Sequence, residues 1–155
     1  MHKGFTLIEL VIVITIIAIL YGVILFSVTQ YINKGKDSNI LGNLAILVPA
    51  GEVFYNGNSG SYSGFCNPTG SSGAVLKNAL SQMPPQSSPA PCYTSSTIPT
   101  SSTNNAGVCC KVATDGNSWA ACARKFTTPA NYYCVDSRGV KEEVTGTCSL
   151  ITQCP

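Results

Sequence analysis

Charge is what this chain has least of. Lysine, arginine, aspartate and glutamate make up only 10% of its 155 residues, and Leu10 to Val28, Val53 to Leu76 and Asn78 to Cys110 carry none. Histidine occurs once, at His2, so no imidazole neighbours the acids or cysteines farther along the chain. That removes the usual general base and a common zinc ligand. Cysteine is absent before Cys66, and none of the eight cysteines forms a Cys-x-x-Cys pair. Proline is absent between Phe5 and Val48, which leaves that stretch free to run as one helix.

What is present begins with an apolar run. Phe5 to Ile32 is almost wholly hydrophobic, and as a helix these 28 residues rise about 42 Å, enough to cross a hydrocarbon core of about 30 Å. Many of them are β-branched (Val11, Ile12, Val13, Ile14, Ile16, Ile17, Ile19, Val23, Ile24, Val28), which favours strand in water. In lipid the backbone must satisfy its own polar groups, so the environment imposes helix. The run is too long for a cleaved secretory signal, whose apolar region spans about 7 to 15 residues. Within it sits one carboxylate, Glu9. A charge at the bilayer centre costs about 2.5 to 3.5 kcal/mol on insertion scales, so Glu9 requires a partner.

Lys3 on one side and Lys34 and Lys36 on the other leave orientation by charge undecided. The cysteines decide it. Cys66, Cys92, Cys109, Cys110, Cys122, Cys134, Cys148 and Cys154 all follow the apolar run, an even number in a loop-rich region, as expected of disulfides in an oxidising compartment. The C-terminal part is then outside and Met1 cytoplasmic.

Lys3-Gly4-Phe5-Thr6-Leu7-Ile8-Glu9-Leu10 followed by a long apolar helix resembles the class III signal of type IV prepilins and type II secretion pseudopilins. The resemblance covers about thirty residues; the remainder agrees with the family only in layout. It implies an α+β, type IV pilin-like fold: a helix over about 5–55 packed on a small antiparallel sheet, with disulfide-stapled loops. It implies that a prepilin peptidase cuts between Gly4 and Phe5 and that Phe5 is N-methylated, which makes 1–4 a leader. It also implies that Glu9 pairs with the Phe5 amine of a neighbouring subunit, since two groups each costly in lipid favour association. The bland alternative for Glu9 is a carboxylate snorkelling one turn into the membrane.

On this layout 5–33 is the transmembrane and polymerisation half of the helix and 34–155 a periplasmic or extracellular head. Ile40, Leu41, Leu44, Leu47, Val48, Phe54 and Tyr55 recur at helical spacing and make 34–56 an amphipathic continuation. Gly22 and Pro49 are the candidate points of helix flexibility, Pro49 by a kink, and Asn56-Gly57-Asn58 is a stop. Residues 57–107 form a variable loop holding a short helix at 74–83, capped by Ser71 or Ser72 and ended by Pro84-Pro85. Ser81 to Gly107 has sixteen Ser, Thr or Pro among 27 residues, a composition that fills no core and reads as a neutral surface coat. Residues 108–155 form the sheet and a C-terminal disulfide region. Its strands are Val108–Ala113, Ser118–Phe126, Asn131–Val135 and Val140–Thr145, with Trp119, Phe126, Tyr132, Tyr133, Val135, Val140 and Val144 as packing positions.

Adjacent in a strand, Cys109 and Cys110 point to opposite faces and take different partners. Eight cysteines allow 105 pairings. Proximity alone points to Cys66 with Cys92, and to Cys134 with Cys148 or Cys154.

No catalytic constellation, cofactor or metal site is expected. Asp136 with Glu142 or Glu143 could offer oxygens to calcium, but in no recognised spacing, so solvated charge is the reading. Lys111, Arg124, Lys125, Arg138 and Lys141 are nearly balanced by Asp115, Asp136, Glu142 and Glu143, so nucleic-acid binding is possible without being expected. The expected function is the structural subunit, a major pilin, of a type IV pilus-like helical filament serving adhesion, motility or DNA uptake. The precursor would sit in the inner membrane with its head outside, and the assembled fibre would be extracellular. Partners would be further copies of the chain, minor pilins, the prepilin peptidase and, indirectly, an assembly ATPase and a platform protein. The alternatives are a minor pilin or pseudopilin of a secretion or competence system, and a monomeric membrane-anchored adhesin.

Overall fold

The computed structural model describes residues 4–67, 73–84, 108–146 and 151–155. The expectations for Met1 to Lys3, Ser71, Ser72, Pro85, Cys92 and Cys148 lie outside the described residues.

A single helix, α1 (Leu7–Gly57), dominates the molecule. Its 51 residues rise about 77 Å. Thr6 caps its start in extended conformation, and at its far end the Gly60 amide bonds back to the Tyr55 carbonyl at 3.0 Å. The second helix, α2 (Gly73–Gln82), is displaced by one residue from the expected 74–83. Four strands follow: β1 (Val108–Val112), β2 (Trp119–Arg124), β3 (Asn131–Asp136) and β4 (Lys141–Thr145). They pair as an antiparallel meander in the order β1-β2-β3-β4, the architecture that the sequence implies.

α1 is bound to the sheet by one stripe. Asp37, Ile40, Leu44, Leu47 and Gly51 are buried at alternating three- and four-residue steps, the spacing of one helix face. They meet the inner face of the sheet, where Val108, Cys110, Trp119, Ala121, Ala123 and Val135 are buried. Alanines at the centre of β2 keep that face shallow, so the large side chains of α1 fill the gap. Gly51 lets the helix reach Trp119: a Cβ there would lie 2.7 Å from the indole Nε1 and 3.0 Å from Cε2. Phe54, Phe65, Tyr55 and Tyr62 complete an aromatic cluster around the indole, with Phe65 and Trp119 rings 4.7 Å apart. Such offset ring pairs add to area burial. Burial, together with the Glu52 carboxylate 2.7 Å away, pushes the Tyr62 phenol up to about 12.

The helix runs through both expected weak points. Pro49 removes the amide that would bond the Ala45 carbonyl, yet α1 neither ends nor divides there. Packing of Leu47 and Gly51 on either side holds the segment to the sheet. Gly22 also lies inside the continuous helix.

The outer face of the sheet carries a second layer. Cys109, Ala120, Cys122 and Cys134 are buried there beneath Cys154 and Ile151 of the C-terminal segment. A disulfide joins Cys134 to Cys154, one of the two pairings expected for Cys134. The proximity argument fails for Cys66, which bonds Cys110 and not Cys92. The turn after α1 brings Cys66 into the core beside β1, so its partner is a cysteine 44 residues away along the chain. Cys109 and Cys122 are disulfide-bonded as well, and no described cysteine is free. Cys109 and Cys110 serve opposite faces, as strand alternation requires. In the chain-entropy account the two loops, 44 and 20 residues apart, stabilise by about 4 and about 3 kcal/mol.

Candidate assembly and processing site

The chain before the helix is extended and open. Gly4, Phe5 and Thr6 have no regular structure, and Phe5 is 78% exposed, so none of the other described residues shields the Gly4-Phe5 bond. From Leu7 to Ile32 every large apolar side chain described is exposed, and this is the one stretch, among the described residues, long and apolar enough to cross a membrane. Its hydroxyls hide themselves: Thr15, Ser27 and Thr29 donate to the carbonyls of Ile12, Val23 and Leu25. That back-bonding leaves an almost uniformly apolar surface.

Glu9 is the exception, and the structure gives it a partner that sequence reasoning missed. Its Oε2 accepts from the Thr6 amide at 2.9 Å and the Thr6 hydroxyl at 2.7 Å, while the Glu9 amide donates to Thr6 Oγ1 at 3.4 Å. This is a capping box. The signal was legible in Thr6-Leu7-Ile8-Glu9, the Thr-x-x-Glu pattern in which residues three apart satisfy each other's backbone donors. Both bonds end on Oε2.

Two acids of the head, Asp136 and Glu143, are committed to structure. Burial alone would raise the Asp136 carboxyl, but the Arg138 guanidinium and the amides of Cys154, Arg138 and Val140 outweigh it and hold the group below the usual carboxylate range. Arg138 donates to Asp136 through Nε at 2.8 Å and also to the Cys154 carbonyl, so this pair clasps the C-terminal segment. Glu143 takes Lys125 from across the sheet and is lowered first by that contact and then by Asn131. The expected cations do not converge. Arg124 and Lys125 end β2, whereas Lys111, Arg138 and Lys141 lie toward the other end of the sheet.

Asp37 is a site that sequence analysis passed over as an ordinary helix residue. It is 4% exposed, and its carboxylate accepts from the Phe126 amide at 2.6 Å, the Thr127 amide at 3.2 Å and the Thr127 hydroxyl. Lys36 beside it lies over the Phe126 ring, 4.7 Å from the centroid. Together they fasten the β2–β3 turn to the helix where its exposed half begins.

Residues 1–25 match the family model for the prokaryotic N-terminal methylation motif, the class III signal of type IV pilins and pseudopilins. The match covers Gly4, Phe5, Glu9 and most of the exposed apolar helix. No curated protein and no solved structure matches the chain.

Proposed function

We propose, proceeding from a signal that marks a type IV pilin-like or pseudopilin protein, that this chain is the major structural subunit of a type IV pilus-like filament. The signal implies a prepilin peptidase, pilin assembly and membrane anchoring of the precursor, and it points to a structural family without catalytic chemistry. In our reading the peptidase cuts after Gly4, Phe5 becomes the methylated terminus, and the helix over 7–32 passes from lipid into the fibre core. The observation that carries the reading is the placement of Glu9, the only acid in an otherwise uncharged, unpacked helical surface.

The capping box supports a division of labour within that carboxylate. A cut between Gly4 and Phe5 preserves the Thr6 amide and hydroxyl, so Oε2 keeps its internal partners while the subunit waits in the membrane. Oε1 then receives the Phe5 amine of the next subunit, and the two buried charges neutralise each other. Glu9→Ala is expected to leave insertion and cleavage intact and to reduce filament yield to a small fraction. Sheared surface filaments and the processed band on an immunoblot check this; wild-type fibre from the variant would sink the proposal.

A further inference from the structure

The charges of the head are sorted along the axis of α1. β2 runs from Trp119, packed against Gly51, to Arg124, and the turn beyond it is fastened to Asp37. The β2–β3 turn is therefore the end of the head next to the apolar helix. Lys34, Lys36, Arg124 and Lys125 cluster at that end, against Asp37 and Glu143. The acids there are already engaged: Asp37 by the turn amides, Glu143 by Lys125 and Asn131. Lys34 and Lys36 lie instead over the rings of Tyr31 and Phe126. Toward the opposite end Lys111, Arg138 and Lys141 stand with Glu52, Asp115 and Asp136, so the charges there balance, while Glu142 lies near the middle of the sheet.

Distance gives this polarity a target. Lys36 is one helical turn, about 6 Å, above Ile32, where the exposed apolar surface ends. That is within the Debye length of about 8 Å at physiological salt. Tyr31, 73% exposed, lies beside Ile32 at the end of the apolar surface, in the place where an aromatic ring settles at a membrane interface. Resting on the anchoring reading above, we infer that this basic rim is a docking surface for anionic phospholipid headgroups, on which the β2–β3 turn of the unassembled subunit lies. Asp37 makes the rim by holding the turn, and with it Arg124, level with Lys34 and Lys36.

The test uses the full chain in nanodiscs of phosphatidylcholine alone or of phosphatidylcholine mixed with phosphatidylglycerol, with amide exchange read over residues 125–131. Exchange is expected to be slower in the anionic discs by about fivefold or more, the factor for one lysine near such a surface. The difference should vanish in Lys34→Gln/Lys36→Gln and in high salt. Lys36 is half-buried over Phe126 and Lys34 is exposed, so the fold of the double variant is checked by its thermal transition and by its exchange in neutral discs, and Lys34→Gln alone should remove part of the difference. Equal exchange in the two lipids, with the chain retained in both, overturns the rim. Loss of the chain from both kinds of disc overturns the anchoring reading and the rim with it.

Discussion

Residues 7–32 and 37–57 belong to one helix in two different situations. The first part has no packing partner among the described residues of the head, and its form rests on backbone bonds, a capping box and hydroxyls folded onto carbonyls. The second is locked to a sheet by a buried stripe that begins with a carboxylate and ends at a glycine under an indole. A continuous helix can thus be held by its environment at one end and by packing at the other. The same substitution should have different consequences in the two parts.

The comparison breaks most visibly at Leu44, which is fully buried against the sheet. Leu44→Ala should cost about 2 to 5 kcal/mol of head stability, read from chemical denaturation with the disulfides intact. Next comes Gly51→Val, which pushes side-chain atoms into the Trp119 ring and should cost about 1 to 3 kcal/mol. A red-shift in Trp119 fluorescence would accompany it. Acid should have a smaller effect. Asp136 titrates lower in the folded chain than an unfolded aspartate, near 3.9. Its contribution is therefore complete above that value and disappears as pH falls through the lower folded one. Arg138→Ala should weaken that acid sensitivity in pH-dependent melts. Smallest of all, Ile16→Ala on the exposed half should change head stability by no more than about 0.5 kcal/mol. A loss as large as that of Leu44→Ala would show that residues 7–32 fold against the head after all.

The repetitive features were legible in the sequence and the singular ones were not. Apolar spacing gave the helix through Tyr55, and turn residues such as Asp115-Gly116-Asn117 gave the strands to within two residues, because both depend on local periodicity and backbone preference. The Glu9 position was legible because a lone acid among apolar residues is conspicuous. Asp37 was not, because its partners are the amides of Phe126 and Thr127, about ninety residues away, and backbone amides leave no trace in composition. Asp136 was noticed only as a charge; what it holds, the Cys154 amide, became visible once the C-terminal segment lay across the sheet. The Cys66 pairing was misjudged for the same reason, since nearness along the chain carries no information about which strand a loop returns to.

The Cys66–Cys110 bond also determines how the molecule would carry tension. A pull delivered along α1 leaves the helix at Gly57, reaches Cys66 within a few residues and passes through sulfur directly into β1. The bond gives the load a path that does not run through the chain between the two cysteines. Beyond the bridge, force enters a meander in which each strand is hydrogen-bonded to the next and whose third strand is itself tied to the C-terminal segment by Cys134–Cys154. Tension can thus cross the head from α1 to the C-terminal segment through two disulfides and hydrogen-bonded strands.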